Sequence, residues 1–183
     1  MSTLGRRSLT LPVLFLATAL MTVALPVWLP LSLLAAIALP AARSAPRVLA
    51  FITAYLWCET LGVLGAFLIW LRRGPRRDEA DERAWLDANY ALQNWWCRSL
   101  KGWAGRLFRL SFEIEGEEAL DGDGALLLLR HTSIGDTFIP VVFYNWARGR
   151  RLRFVLKREL LLDPCLDIVG NRLPNYFADR SST

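Results

Sequence analysis

The chain has 183 residues, 54% of them hydrophobic, and 22 basic against 17 acidic residues give a formal net charge of +5. That length admits one ordinary domain, or a membrane anchor carrying part of one. Three scattered cysteines, Cys58, Cys97 and Cys165, with no Cys-x-x-Cys pair, give no sign of a disulfide framework or a zinc site. The basic excess stands beside apolar segments and without any nucleic-acid motif, so anionic lipid headgroups fit it better than nucleic acid does.

From Ser8 to Ala42 no residue is charged, and from Val48 to Leu71 the only charge is Glu59. Both runs exceed the roughly 20 apolar residues that span a bilayer. A mid-membrane carboxylate costs about 3 kcal/mol, but Leu, Ile, Phe and Val each return about 0.3 to 0.6, so the second run still favours insertion. Pro12, Pro26, Pro30 and Pro40 interrupt the first run, which predicts a broken or tilted helix there. Arg6 and Arg7 precede the first run, Arg43 and Arg47 separate the two, and Arg72, Arg73, Arg76 and Arg77 follow the second. The positive-inside rule then gives a hairpin with both ends in the cytoplasm. A leader reading of "GRRSLTLPVLFLATAL" competes, with its twin-arginine look, but a second apolar run follows at once, which a cleaved leader does not need.

Residues 1–77 thus read as a membrane-anchoring helical hairpin with a basic linker. Residues 78–109 follow as an amphipathic helix. Trp85, Leu92, Trp96, Leu100, Trp103 and Leu107 recur at helical spacing, with Arg98, Lys101 and Arg109 on a neighbouring face. Such a helix suits the headgroup layer, and equally a packed core. Beyond it, Leu110, Phe112 and Ile114 alternate with polar residues as in a strand, and "DGDG" marks a tight turn. "ALLLLR" at 125–130 reads as a buried strand, "TFIPVVFYNWA" as a helix and "LRFVLK" as a further strand. Strand, helix, strand implies a parallel crossover, so the fold class expected for 110–183 is α/β, a partial sheet with flanking helices behind the membrane helices.

The lone histidine, His131, falls in the loop after the strand at 125–130, where open α/β sheets bind ligands. Asp136 follows five positions on. A carboxylate that holds one imidazole nitrogen leaves the other as a proton acceptor, the arrangement of a general base. The plainer alternative makes Ser133 and Asp136 a helix start and His131 a polar strand end.

"LLLLRHTSIGD" resembles the His-x-x-x-x-Asp block of the glycerolipid acyltransferases, the family of the 1-acylglycerol-3-phosphate acyltransferases, where a serine commonly stands at the position of Ser133. "VLKRELLLDPCLDIVGNRLPNYFADR" is similar to the family's next block, matched at Lys157, Glu159, Leu160, Pro164, Asp179 and Arg180. Together with "FEIEGEEAL", the resemblance covers about residues 110–180. It implies a membrane-bound acyltransferase, facing the cytoplasm, that moves a fatty acyl group from acyl-CoA or acyl carrier protein to a lysophospholipid hydroxyl. His131 would be the general base and Asp136 its orienting partner; Arg180 would bind the acceptor phosphate, with Ser133 beside the substrate. No metal or cofactor is implied. Two positions depart from the family pattern: Arg130 stands where an asparagine usually precedes the histidine, and Asp167 lies where a glycine is common. The family's Glu-Gly-Thr-Arg and proline blocks are not found, so a partial enzyme is expected. A non-catalytic membrane scaffold and a thioester hydrolase using the same His-Asp pair are the competing classes.

Overall fold

The structure, a computed structural model, describes residues 2–74, 78–121, 126–129 and 138–179. It is mostly helical. Helix α1 spans Thr3–Ala38, a 3-10 turn Pro40–Ala42 follows, α2 spans Ala45–Arg73 and α3 spans Glu79–Phe108. A π-helical segment, Val141–Trp146, precedes strand β1, Val155–Lys157; the 3-10 turn Arg158–Leu162, helix α4 at Pro164–Gly170 and strand β2 at Tyr176–Ala178 complete the order.

Helices α1 and α2 form an antiparallel hairpin. Thr18 Oγ1 and Thr60 Oγ1 lie 2.9 Å apart, and Trp57 Nε1 donates to Thr22 Oγ1 at 3.0 Å. In apolar surroundings such hydroxyl pairs fix register where Leu and Val contacts alone would let the helices slide. Both helices are long and apolar enough to cross a membrane. Of the broken or tilted helix expected in the first run, the break is absent: α1 continues through Pro12, Pro26 and Pro30. Apolar helices tolerate proline when neighbouring helices and small local adjustments satisfy the freed carbonyls. The chain turns only at Pro40, which opens the 3-10 turn.

Asp78 caps α3, its carboxylate accepting from Asp81 N at 2.8 Å, and Glu79, Asp81 and Glu82 load the first turn with the sign the helix dipole favours. The helix then runs antiparallel along α2. Leu92 packs at Gly65, Trp96 at Glu59, and the Phe108 ring meets Phe51 at 5.4 Å. Of the expected apolar face, Trp85, Trp96 and Leu100 are buried. Trp103 stays exposed.

The sheet among the described residues is one parallel pair, β1 with β2, in the register Val155↔Tyr176, Leu156↔Phe177 and Lys157↔Ala178. "LRFVLK" therefore does supply a strand, and among the described residues the crossover runs from it through the 3-10 turn and α4 to β2. No strand is formed at 110–115: Phe112 packs at 5.4 Å on Phe143, but the backbone there has no ladder partner among the described residues. Residues 126–129 are likewise outside any strand, with Leu126 and Leu128 each 87% exposed, contrary to the buried strand expected there. Alternation and apolar runs report which side chains could be buried, but a strand also needs a neighbour for its backbone. The α/β expectation thus holds only for this small pair. The helix expected in "TFIPVVFYNWA" is present as the π-helical segment, whose Val141, Val142, Tyr144 and Asn145 are buried against α3.

Candidate functional site

The four residues on which the expected chemistry rests, His131, Ser133, Asp136 and Arg180, lie outside the described residues. The second resemblance block, in contrast, is described almost whole. Lys157 ends β1, Glu159 and Leu160 sit in the following 3-10 turn, Pro164 is the first residue of α4, and Asp179 follows β2. Lys157 and Glu159 are exposed, whereas Leu160 is half-buried. Asp179 pairs with Arg158, which draws the end of β2 back to the turn after β1.

What holds this block to the rest of the molecule is polar. Asp163 is the N-cap of α4: its Oδ1 accepts from Leu166 N at 2.8 Å, and its Oδ2 accepts from the Tyr55 hydroxyl of α2 at 2.7 Å. Glu59, also from α2 and only 1% exposed, reaches the same helix end. Its Oε2 accepts from Cys165 N at 3.1 Å and its Oε1 from the Trp96 indole N–H at 2.7 Å. Pro164 has no N–H to satisfy, and Asp167 N already bonds Asp163 O at 2.8 Å. The first-turn donors of α4 are therefore complete, and the one acidic side chain of the apolar run has its oxygens placed by these donors.

One turn further along α4, Asp167 is fully buried between two guanidinium groups of α1. Arg6 Nη2 stands 2.6 Å from Oδ1 and Arg7 Nε 2.9 Å from Oδ2, while Arg7 Nη2 reaches the Asp167 carbonyl at 3.1 Å. Asn171 Nδ2 donates to Oδ1 as well, at 3.0 Å. The pair that resembles a twin-arginine or topology signal is an interior ion cluster. Helix α4 also packs closely on α2: a Cβ on Gly62 would stand 2.5 Å from Cys165 Sγ.

One cavity adjoins this junction and another lies apart from it. A small apolar one of about 100 Å³ lies among Tyr55, Trp96, Phe138, Phe154, Leu156 and Asp163, its polar end formed by the Tyr55–Asp163 bond. A wide groove of about 750 Å³ runs between Leu126–Leu129 and Arg150–Val155. Arg151 on its rim pairs with Asp87, and Tyr90 anchors the groove wall by donating to Leu152 O at 3.0 Å. Burial raises the Tyr90 hydroxyl above its ordinary pKa, against the opposing pull of Arg153 and Arg151. Burial also pushes the thiols of Cys97 and Cys165 far up, with the carboxylates of Asp163 and Glu59 adding to it, so neither is a thiolate nucleophile at neutral pH. Among the described residues no three His, Cys, Asp or Glu side chains are grouped as metal ligands.

Sequence reading missed α4 as an element, although Asp163-Pro164 carries the signal of a capped helix start, an N-cap acid followed by proline at the first position. It had no means of pairing Asp167 with Arg6, 161 residues away. No protein-family model, no curated protein and no solved structure matches the chain.

Proposed function

We propose that the chain is the membrane-associated portion and first two sequence blocks of a glycerolipid acyltransferase of the cell membrane, with its catalytic part facing the cytoplasm. In this reading His131, held by Asp136, removes the proton from a lysophospholipid hydroxyl, with 1-acylglycerol-3-phosphate the leading acceptor. The oxygen attacks the thioester carbonyl of acyl-CoA or acyl carrier protein; the new ester bond forms as the carbon–sulfur bond breaks, and the thiol leaves with the proton. Arg180 holds the acceptor phosphate, because a planar guanidinium matches phosphate oxygens two at a time. Ser133 lines the acceptor site.

The observation that supports this reading is the seating of the second block. The segment carrying Lys157, Glu159, Leu160, Pro164 and Asp179 is a compact β1–α4–β2 unit docked on the apolar hairpin through Glu59 and Asp167. A lipid acceptor, confined to the membrane, requires that closeness. The test is transfer of labelled acyl-CoA to lysophosphatidic acid by the natural gene product in detergent micelles. His131→Ala should lose activity by a hundredfold or more, a figure of the order removed with a positioned general base. Arg180→Ala should raise the acceptor KM more than it lowers kcat. Free fatty acid as the sole product would identify a hydrolase, and full activity of His131→Ala would remove the His-Asp mechanism.

A further inference from the structure

We propose that Glu59 and Trp96 are positioning residues for acyl transfer: through Phe138 they set the end of the segment that carries His131 and Asp136 at a fixed place relative to the second sequence block. This inference rests on the His131–Asp136 reading given above, and adds to it two residues that act through others.

Three contacts in series carry it. Glu59 Oε2 accepts from Cys165 N, in the first turn of α4, at 3.1 Å. Its other oxygen, Oε1, accepts from the Trp96 indole N–H at 2.7 Å. A carboxylate held at both oxygens by donors from two helices cannot turn without breaking a bond. With both Glu59 and Trp96 buried, a broken bond is costly. The third contact is aromatic: the Phe138 ring stands edge-on to the Trp96 indole, with centroids 5.4 Å apart and planes at 73°, an arrangement that the ring quadrupoles favour. The indole orientation that Glu59 fixes is therefore also the one that receives Phe138.

Phe138 stands two positions after Asp136 and is the first described residue beyond that block. Its carbonyl accepts from Val142 N at 3.0 Å, which starts the helix leading into the π-helical segment. Gln93, on the same side of α3 as Trp96, accepts from Asn145 Nδ2 at 3.4 Å and holds the far end of that segment. π-Helical turns are rare and gather at functional sites. Two residues of chain extend at most about 7 Å, so the place of Phe138 bounds that of the Asp136 backbone. Cys165 belongs to the second block and Phe138 adjoins the first, so Glu59 is the point on α2 where the two blocks are brought into register. An apolar side chain at position 59 could fill the same space, but would hold neither the indole N–H nor the α4 amide.

The experiment is transfer from labelled acyl-CoA to lysophosphatidic acid by the natural gene product in detergent micelles, with Phe138→Ala and Trp96→Phe each made alone and each combined with Asp136→Asn. Incubation is long enough to resolve the residual rate of Asp136→Asn. Circular dichroism checks the fold of every variant, and Trp96→Phe, which keeps an aromatic ring and deletes the N–H, decides the matter if Phe138→Ala does not fold. Each single variant should lower kcat by about tenfold to a hundredfold, the scale of a misplacement near 1 Å, with both KM values within about twofold of the parent. In the Asp136→Asn background the same change should cost less than about twofold further, because its effect passes through Asp136. A role in packing alone would multiply the Asp136→Asn loss instead, and would overturn the proposal while leaving the His-Asp mechanism intact. So would an unchanged kcat, or a loss confined to KM. Full activity of Asp136→Asn, or no transfer by the parent, would remove the His-Asp mechanism itself and this inference with it.

Discussion

Replacing Asp167 with alanine should unfasten α1 from α4. The carboxylate is fully buried, the Arg6 side chain is 9% exposed and that of Arg7 33%. Arg7 can turn to water when its partner is lost. Arg6 cannot do so without moving the helix start, and its Nε already lacks a hydrogen-bond partner. Removing one member of a buried pair costs roughly 3–5 kcal/mol, because the charge left behind keeps its desolvation penalty. The helix end gives Arg6 some freedom, so the lower figure, about 3 kcal/mol, is expected, or about 6–12 °C in thermal midpoint for a chain of this size. Far-UV circular dichroism in dodecyl maltoside micelles measures it. The combined change Arg6→Met, Arg7→Met and Asp167→Leu should come back to within about 1 kcal/mol of the parent, since an apolar replacement of a whole buried cluster is often neutral. A loss under about 0.5 kcal/mol for Asp167→Ala, the range of ordinary surface changes, would refute the buried clasp.

Glu59→Gln should cost about 1–3 kcal/mol, because Trp96 Nε1 and Cys165 N both donate and the amide offers only one acceptor oxygen; equal stability by chemical denaturation would mean that one of those bonds is absent. Gly62→Ala should lose about 1–3 kcal/mol to overpacking, and Cys165→Ala in the same chain should recover most of it, since the clash is with Sγ at 2.5 Å and the next nearest atom, Cβ, is at 3.5 Å. Stability should fall as pH climbs from about 8 to about 10: the folded state keeps protons on Cys97 and Cys165 that unfolded thiols release near pH 8.5, so the unfolded state binds fewer protons in that window. The decline in denaturation midpoint should be shallower in Cys97→Ala, and an unchanged slope there would assign it to other groups.

The hairpin was legible in the sequence because membrane-length apolarity is a property of composition, and α3 because its tryptophans and leucines repeat at helical spacing over about six turns. β1 was legible as a short alternating run. Its neighbour was not: Tyr176–Ala178 is three residues long, and only the fold puts it beside Val155–Lys157. The opposite error arose at 110–115 and 126–129, where strand-like patterning has no backbone partner among the described residues. Local pattern decides which face a segment can bury, and tertiary pairing decides whether it becomes a strand. In the proline-rich first run, of the broken or tilted helix expected only the break is absent, since the cost of proline inside a helix depends on what the neighbouring helix supplies. For the expected site, the sequence supplies His131, Ser133, Asp136 and Arg180 as a pattern, and all four lie outside the described residues.

Arginine at positions 6 and 7 and glutamate at 59 are the residues that a composition scan finds most out of place beside an apolar hairpin, and all three converge on α4, a helix of seven residues. So short a helix has little stability of its own, since forming a first turn fixes many dihedrals for one hydrogen bond. Its first-turn donors are satisfied by Asp163 from within and Glu59 from α2, and its one internal carboxylate by α1. The dependence runs both ways, because Glu59 and Arg6 could not be buried without the donors and acceptor that α4 presents. Hairpin and α4 should therefore fold as one cooperative unit, and a charge in an apolar run marks the place where a soluble segment docks as readily as it marks a pore or a topology signal.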